Sequence, residues 1–151
     1  MAEQCSSLFA GGTMTHGRML SVLARMPKEP VKAFAEKLLN QHADINVLKN
    51  RTGLVMLPMR DTVKSTDFHL GEVLVAEAHI QNDQGLQGYG MVIGRDLEQA
   101  MAMAVIDLSF AAQNAVEEIS NFVVEGEKNI SKMDEDVLRH VEATRVQMET
   151  F

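Results

Sequence analysis

Residues 85–96, GLQGYGMVIGRD, set Gly88, Gly90 and Gly94 as G-x-G-x-x-x-G ahead of Arg95 and Asp96. Clustered glycines followed by a cation can cradle a phosphate, because free N–H groups at a helix start attract anions. A dinucleotide fingerprint, however, needs its glycines at a strand-to-helix turn inside a parallel unit. Gly88 and Gly90 instead fall within a strand pattern and on one side of it, and only Gly94 falls at the turn. The two glycines are therefore expected to flatten one face for the approach of a helix or a partner chain. Tyr89, Met91 and Ile93 then fill the other face. Gly94 supplies freedom in φ, and Asp96 caps the following helix. Arg95 is left either to bind an anion or to make a salt bridge, in this chain or to a partner.

Other reactive side chains do not assemble into a set. His69 and His79 lie ten residues apart on one strand pattern, about 33 Å in regular geometry, too far for one metal. His16, His42 and His140 have no neighbour at ligand spacing. Glu72 and Glu77 fall on opposite faces by strand parity. Asp107 interrupts the apolar run AVIDLSF, either as a buried group with a partner or as an exposed helix position. Cys5 is the only cysteine, which excludes an intrachain disulfide and a thiolate-rich zinc site. No catalytic residue, no metal and no cofactor is expected for this chain alone.

The elements that must hold these residues are legible as changes of period. Residues 1–17 lack periodicity and are expected to form a flexible tail, with a single domain over 18–151. From Arg18, Leu20, Leu23 and Met26 mark a helix that Pro27 stops. Pro30 suits the first turn of a second helix, striped by Val31, Phe34, Ala35, Leu38 and Leu39. Strand patterns follow at 43–50, 53–60 and 68–81, with Pro58 indicating an edge or a bulge. Leu74, Ala76, Ala78 and Ile80 share one face of the third, and Val73, Val75, Glu77 and His79 the other. Asn82 to Gly85 signal a hairpin, so LQGYGMVI should run antiparallel to its predecessor. Asp96, with Gln99 completing a capping box, opens a helix running through Leu97, Met101, Ala104, Leu108, Ala111, Ala115, Ile119 and Phe122. A break is expected at Gly126 to Ser131, with Ser131 capping a last helix. This order predicts an α+β fold: N-terminal helices, a small mainly antiparallel sheet of three to four strands, then long C-terminal helices.

Composition narrows the function. The 151 residues are 46% hydrophobic and 23% charged, as in a soluble domain able to bury a core. A net charge of −7 and the lack of basic runs argue against nucleic acid. No apolar run spans a bilayer and no secretory leader is evident, so a cytoplasmic, non-membrane protein is expected. Eleven methionines and no tryptophan suit either an irregular core or an adaptable interface.

The ordered segments TGLVMLPMRD (52–61), FHLGEVLVAEAHI (68–80), GYGMVIGRD (88–96) and AVIDL (104–108) together resemble the phosphonate metabolism protein family PhnG. This family supplies the small G subunit of the bacterial carbon–phosphorus lyase core complex. RMLSVLA at 18–24 and EATRVQM at 142–148 are similar to its terminal segments, so the resemblance covers about residues 18–151. The chain departs from the family in lacking a tryptophan within 18–24. Gln147, Met148 and Glu149 also replace an aromatic pair near the C-terminus.

The resemblance implies an assembly with the I, H and J subunits, mainly through I, and a functional association with the L protein. With these partners the complex uses MgATP as substrate, a phosphonate displacing adenine to give ribose 1-phosphonate 5-triphosphate. The resemblance supplies no catalytic residue for this subunit, which is expected to be structural and part of a homo- or hetero-oligomer. Tyr89, Gly88, Gly90, Gly94, Arg95 and Asp96 are the expected binding or interface residues. Two alternatives stand beside this: Arg95 and the helix N-terminus share a triphosphate site with a partner, or the chain is a free-standing homodimeric ligand-binding module.

Overall fold

The computed structural model describes residues 14–42 and 44–146. Cys5 and most of the expected tail, like Gln147 to Phe151, lie outside the described residues. Helix α1 (His16–Arg25) starts two residues before the expected boundary at 18, because the Thr15 hydroxyl accepts from the Arg18 N–H at 3.3 Å. It buries Met19, Val22 and Leu23 and ends where Met26, preceding Pro27, turns extended. Helix α2 (Lys28–Leu39) carries Pro30 in its first turn and buries Val31, Ala35 and Leu38.

Strands β1 (Ile45–Arg60), β2 (Asp67–Asn82) and β3 (Gln87–Ile93) form an antiparallel sheet in the order β1-β2-β3. The two patterns expected at 43–50 and 53–60 are one strand. A register shift between Val47 and Lys49 disturbs the alternation that made the first look separate. Pro58 sits on this edge strand at a second register shift, where its missing N–H breaks no ladder. The β2–β3 turn is held by Asn82, whose side-chain oxygen accepts from the Gln84 and Leu86 N–H groups at 3.0 and 2.9 Å.

Helix α3 (Leu97–Ala111) crosses one face of the sheet and is buried on nearly all sides, from Ala100 to Ser109. An all-round apolar helix of this kind belongs at the centre of a core. The core side of the sheet presents Ala76, Ala78, Ile80 and Val92 to it. Helix α2 packs along α3, and Phe34 stacks on Phe122 with ring centroids 4.2 Å apart. Helix α4 (Val116–Ala143) runs beside α1.

Two helix boundaries depart from the sequence reading. The break comes at 112–115, where Gln113 and Ala115 take left-handed backbone angles, φ 57° and 52°. Ala111 and Ala115 keep helical spacing across that turn, and this masked it. Helix α4 then passes unbroken through Gly126 and Ser131. Gly126 serves close packing there, since a Cβ on it would collide with the Met26 side chain. Ser131 is accordingly interior to α4 and caps nothing.

Candidate functional site

Gly88 and Gly90 lie buried beneath α3. A methyl group on Gly88 would overlap the Ala104 carbonyl oxygen and come within 2.7 Å of Leu108 Cβ. One on Gly90 would overlap the Ala100 carbonyl oxygen and come within 2.9 Å of the Ala104 nitrogen. The element that approaches these glycines is therefore this chain's own helix. Gly94 takes φ +110° and donates its N–H to the Leu74 carbonyl at 2.9 Å, which pins the turn into α3.

Asp96 caps α3 by accepting from the Gln99 N–H at 3.0 Å. That bond first, and Lys32 after it, hold the Asp96 carboxyl below the usual carboxylate range. Lys32 Nζ reaches Asp96 at 3.3 Å and Glu98 at 2.9 Å, tying α2 to the start of α3. The expected capping box is only half made, because the Gln99 side chain donates to the Met26 carbonyl at 3.3 Å. Arg95 is exposed and makes no ion pair with the described residues.

Tyr89 points to the face of the sheet opposite α3. Its hydroxyl donates to Glu77 at 3.3 Å, and its ring meets His79 edge-on at 6.0 Å. Glu77 accepts from Arg51 at 3.0 Å across the β1–β2 pair, which holds its carboxyl below the usual range. Burial, and then the Glu77 charge, push the Tyr89 hydroxyl up. Arg51, Glu77 and Tyr89 floor a trough of about 380 Å³ walled by Val55, Val75 and Met91. Cross-strand partners more than twenty residues apart leave no signal in one sequence, so Arg51 was not foreseen.

Asp107 proves to be the buried group with partners. It is 3% exposed, accepts from the Tyr89 N–H at 2.9 Å and lies 2.6 Å from His16 Nε2. Two residues further along α3, His42 Nε2 lies 2.8 Å from the Ser109 hydroxyl, which itself donates to the Val105 carbonyl. The Ser109 proton is thus engaged within the helix, and the pair ties the α2–β1 connection to α3. Glu127, buried in α4, takes a bidentate hydrogen bond from Arg18 at 3.0 and 2.5 Å. Neither His16 nor Glu127 carried a sequence signal, because their partners stand 91 and 109 residues away.

Among the described residues no three His, Cys, Asp or Glu side chains are grouped to hold a metal ion, and no helix is long and apolar enough to cross a membrane. The arrangement can seat protein side chains in the trough and present Arg95 beside a helix start. No curated protein matches the chain. The family model of the phosphonate metabolism protein PhnG matches residues 14–151, starting just before the cap of α1 and taking in every described element. The chain therefore belongs to the PhnG family and has its role in phosphonate metabolism.

Proposed function

We propose that this chain is a non-catalytic subunit of the carbon–phosphorus lyase core complex. It packs mainly against the I subunit, together with H and J. In that setting, and with the L protein, it supports displacement of adenine from MgATP by a phosphonate. The observation that carries this reading is the apolar surface left uncovered by a completed core. Ile93 is 81% exposed, Leu54 62%, Leu138 66% and Val141 61%. Monomers seldom leave so many large apolar side chains in water, whereas assembly subunits do. The test is co-expression with the I subunit and size-exclusion chromatography with and without it. A co-eluting pair is expected, and a well-behaved lone chain that ignores the I subunit contradicts the reading.

Arg95 supports a second reading, since it is exposed and makes no ion pair with the described residues. There it meets the triphosphate of the substrate at a site shared with a partner, beside the α3 N-terminus. Arg95→Ala separates the two, with circular dichroism confirming the fold. Weaker assembly assigns Arg95 to the interface. Intact assembly with lost turnover assigns it to the triphosphate. An R95A chain with wild-type assembly and turnover contradicts both assignments.

A further inference from the structure

The trough on the face of the sheet opposite α3 joins a fixed cation to an apolar wall. Glu77 engages both of its carboxylate oxygens within the chain. One accepts from Arg51 Nε at 3.0 Å and the other from the Tyr89 hydroxyl at 3.3 Å. Held by Nε, the Arg51 guanidinium keeps its two terminal nitrogens without a hydrogen bond to the described residues. Such a fork matches the paired oxygens of a carboxylate or a phosphonate. Lys49, two residues away on the same face, is close enough to favour the charge on Glu77. Two cations thus stand against one carboxylate that is already paired. Beside them Val75 lies outside the main core, yet it is buried. Gly53 pairs with it from β1, and a Cβ there would meet no atom within 4 Å. The missing side chain leaves a gap between Arg51 and Val55.

We propose that the trough binds a small organic oxyanion, its charged head on Arg51 and Lys49 and its apolar group between Val55, Val75 and Met91. A volume of about 380 Å³ stands at the small end of ligand pockets, which sets the size of the occupant. Val75 lies about 7 Å along the strands from the Arg51–Glu77 pair, a distance that about four carbons on the head group cover. An inorganic anion satisfies the cations and leaves the apolar wall wet. An uncharged apolar molecule leaves the fork unpaired. Only a molecule with both parts uses the whole trough. Carboxylate and phosphonate heads share the chemistry that the fork reads. The site is built from this chain alone and stands whether or not the subunit reading holds.

Isothermal titration calorimetry on the full chain tests this with n-butylphosphonate, valerate and inorganic phosphate. At least one of the two organic anions should bind with a Kd of about 1 mM or tighter, as so few atoms allow. It should also bind more tightly than inorganic phosphate, and the better of the two heads identifies the ligand's source. Arg51→Met should weaken that binding about tenfold or more. Gly53→Val fills the gap without meeting a neighbour and should abolish it. Circular dichroism and the thermal transition check both folds. Arg145→Met removes an exposed cation beyond the end of α4 and should bind like wild type. No binding of either organic anion by about 10 mM overturns the proposal. Inorganic phosphate binding as tightly as both reduces the trough to a patch that attracts counter-ions, and R51M and G53V chains that bind like wild type place the ligand elsewhere; either result overturns it. A G53V chain that loses the I subunit, when no organic anion binds the wild type, puts a partner's side chain in the trough and overturns the small-molecule assignment.

Discussion

Glu127 is 6% exposed, and Arg18 supplies its balancing charge through two hydrogen bonds. The hydrogen bond to Glu127 raises the Arg18 guanidinium above its ordinary value. Removing only the cation strands a carboxylate inside the α1–α4 contact. Arg18→Ala should therefore cost about 3 kcal/mol, measured by urea unfolding. Replacing both by apolar residues, R18M/E127L, should recover most of that loss, and a double variant no better than R18A contradicts the account. The sequence shows how little of such a pair is visible beforehand. Asp107 was open to being buried because it breaks an apolar run, but nothing near Glu127 marks it apart from the other acids of α4. A buried charge is legible only where its neighbours are uniformly apolar.

Two glycines admit close contacts between elements, against neighbours of different stiffness. Gly90 faces helix backbone, while Gly126 faces the flexible end of Met26. Backbone cannot step aside without moving α3 as a body, whereas a methionine can change rotamer. Gly90→Ala should cost about 3 kcal/mol, and Gly126→Ala about 1 kcal/mol, in paired denaturation curves. Equal costs would mean that Met26 is held as rigidly as backbone. Strand parity located the flattened face of β3, and the antiparallel hairpin excluded a phosphate loop. The α3–α4 turn was not legible, because alanines maintain helical spacing where the chain reverses. The glycine taken as a helix stop was a packing residue, and these two roles look alike without the neighbouring helix.

Across the molecule, acid should weaken the fold through several surface carboxylates together. Asp61 is held below its ordinary range by backbone bonds from Lys64 and Val63, and Asp67 by Arg60. Glu77 and Asp96 are depressed likewise, by Arg51 and by the Gln99 N–H. Folded values below the unfolded ones, about 3.9 for Asp and 4.3 for Glu, mean that the unfolded chain binds more protons at low pH. Their contribution is complete above the ordinary carboxylate range and is lost as pH falls through the depressed folded values. The urea midpoint should therefore be lower at about pH 3 than at about pH 6, and a flat profile contradicts these pairings. The α+β class was legible in the sequence from the order of periods. The reach of β1 and β2 past the end of β3 was not, because two apolar strand patterns carry no record of where a third strand stops.

The α1–α4 contact also has a consequence in time. Arg18 meets Glu127, and Arg25 meets Asp134, each across 109 residues of chain. At about 5–20 residues per second, a ribosome needs about 5–20 s to make that intervening length. Met26 has no Gly126 to pack against until then, because α1 precedes α4 in the chain. Translation speed, more than the helix propensity of α1, sets how long that side of the nascent helix is open to chaperones and proteases.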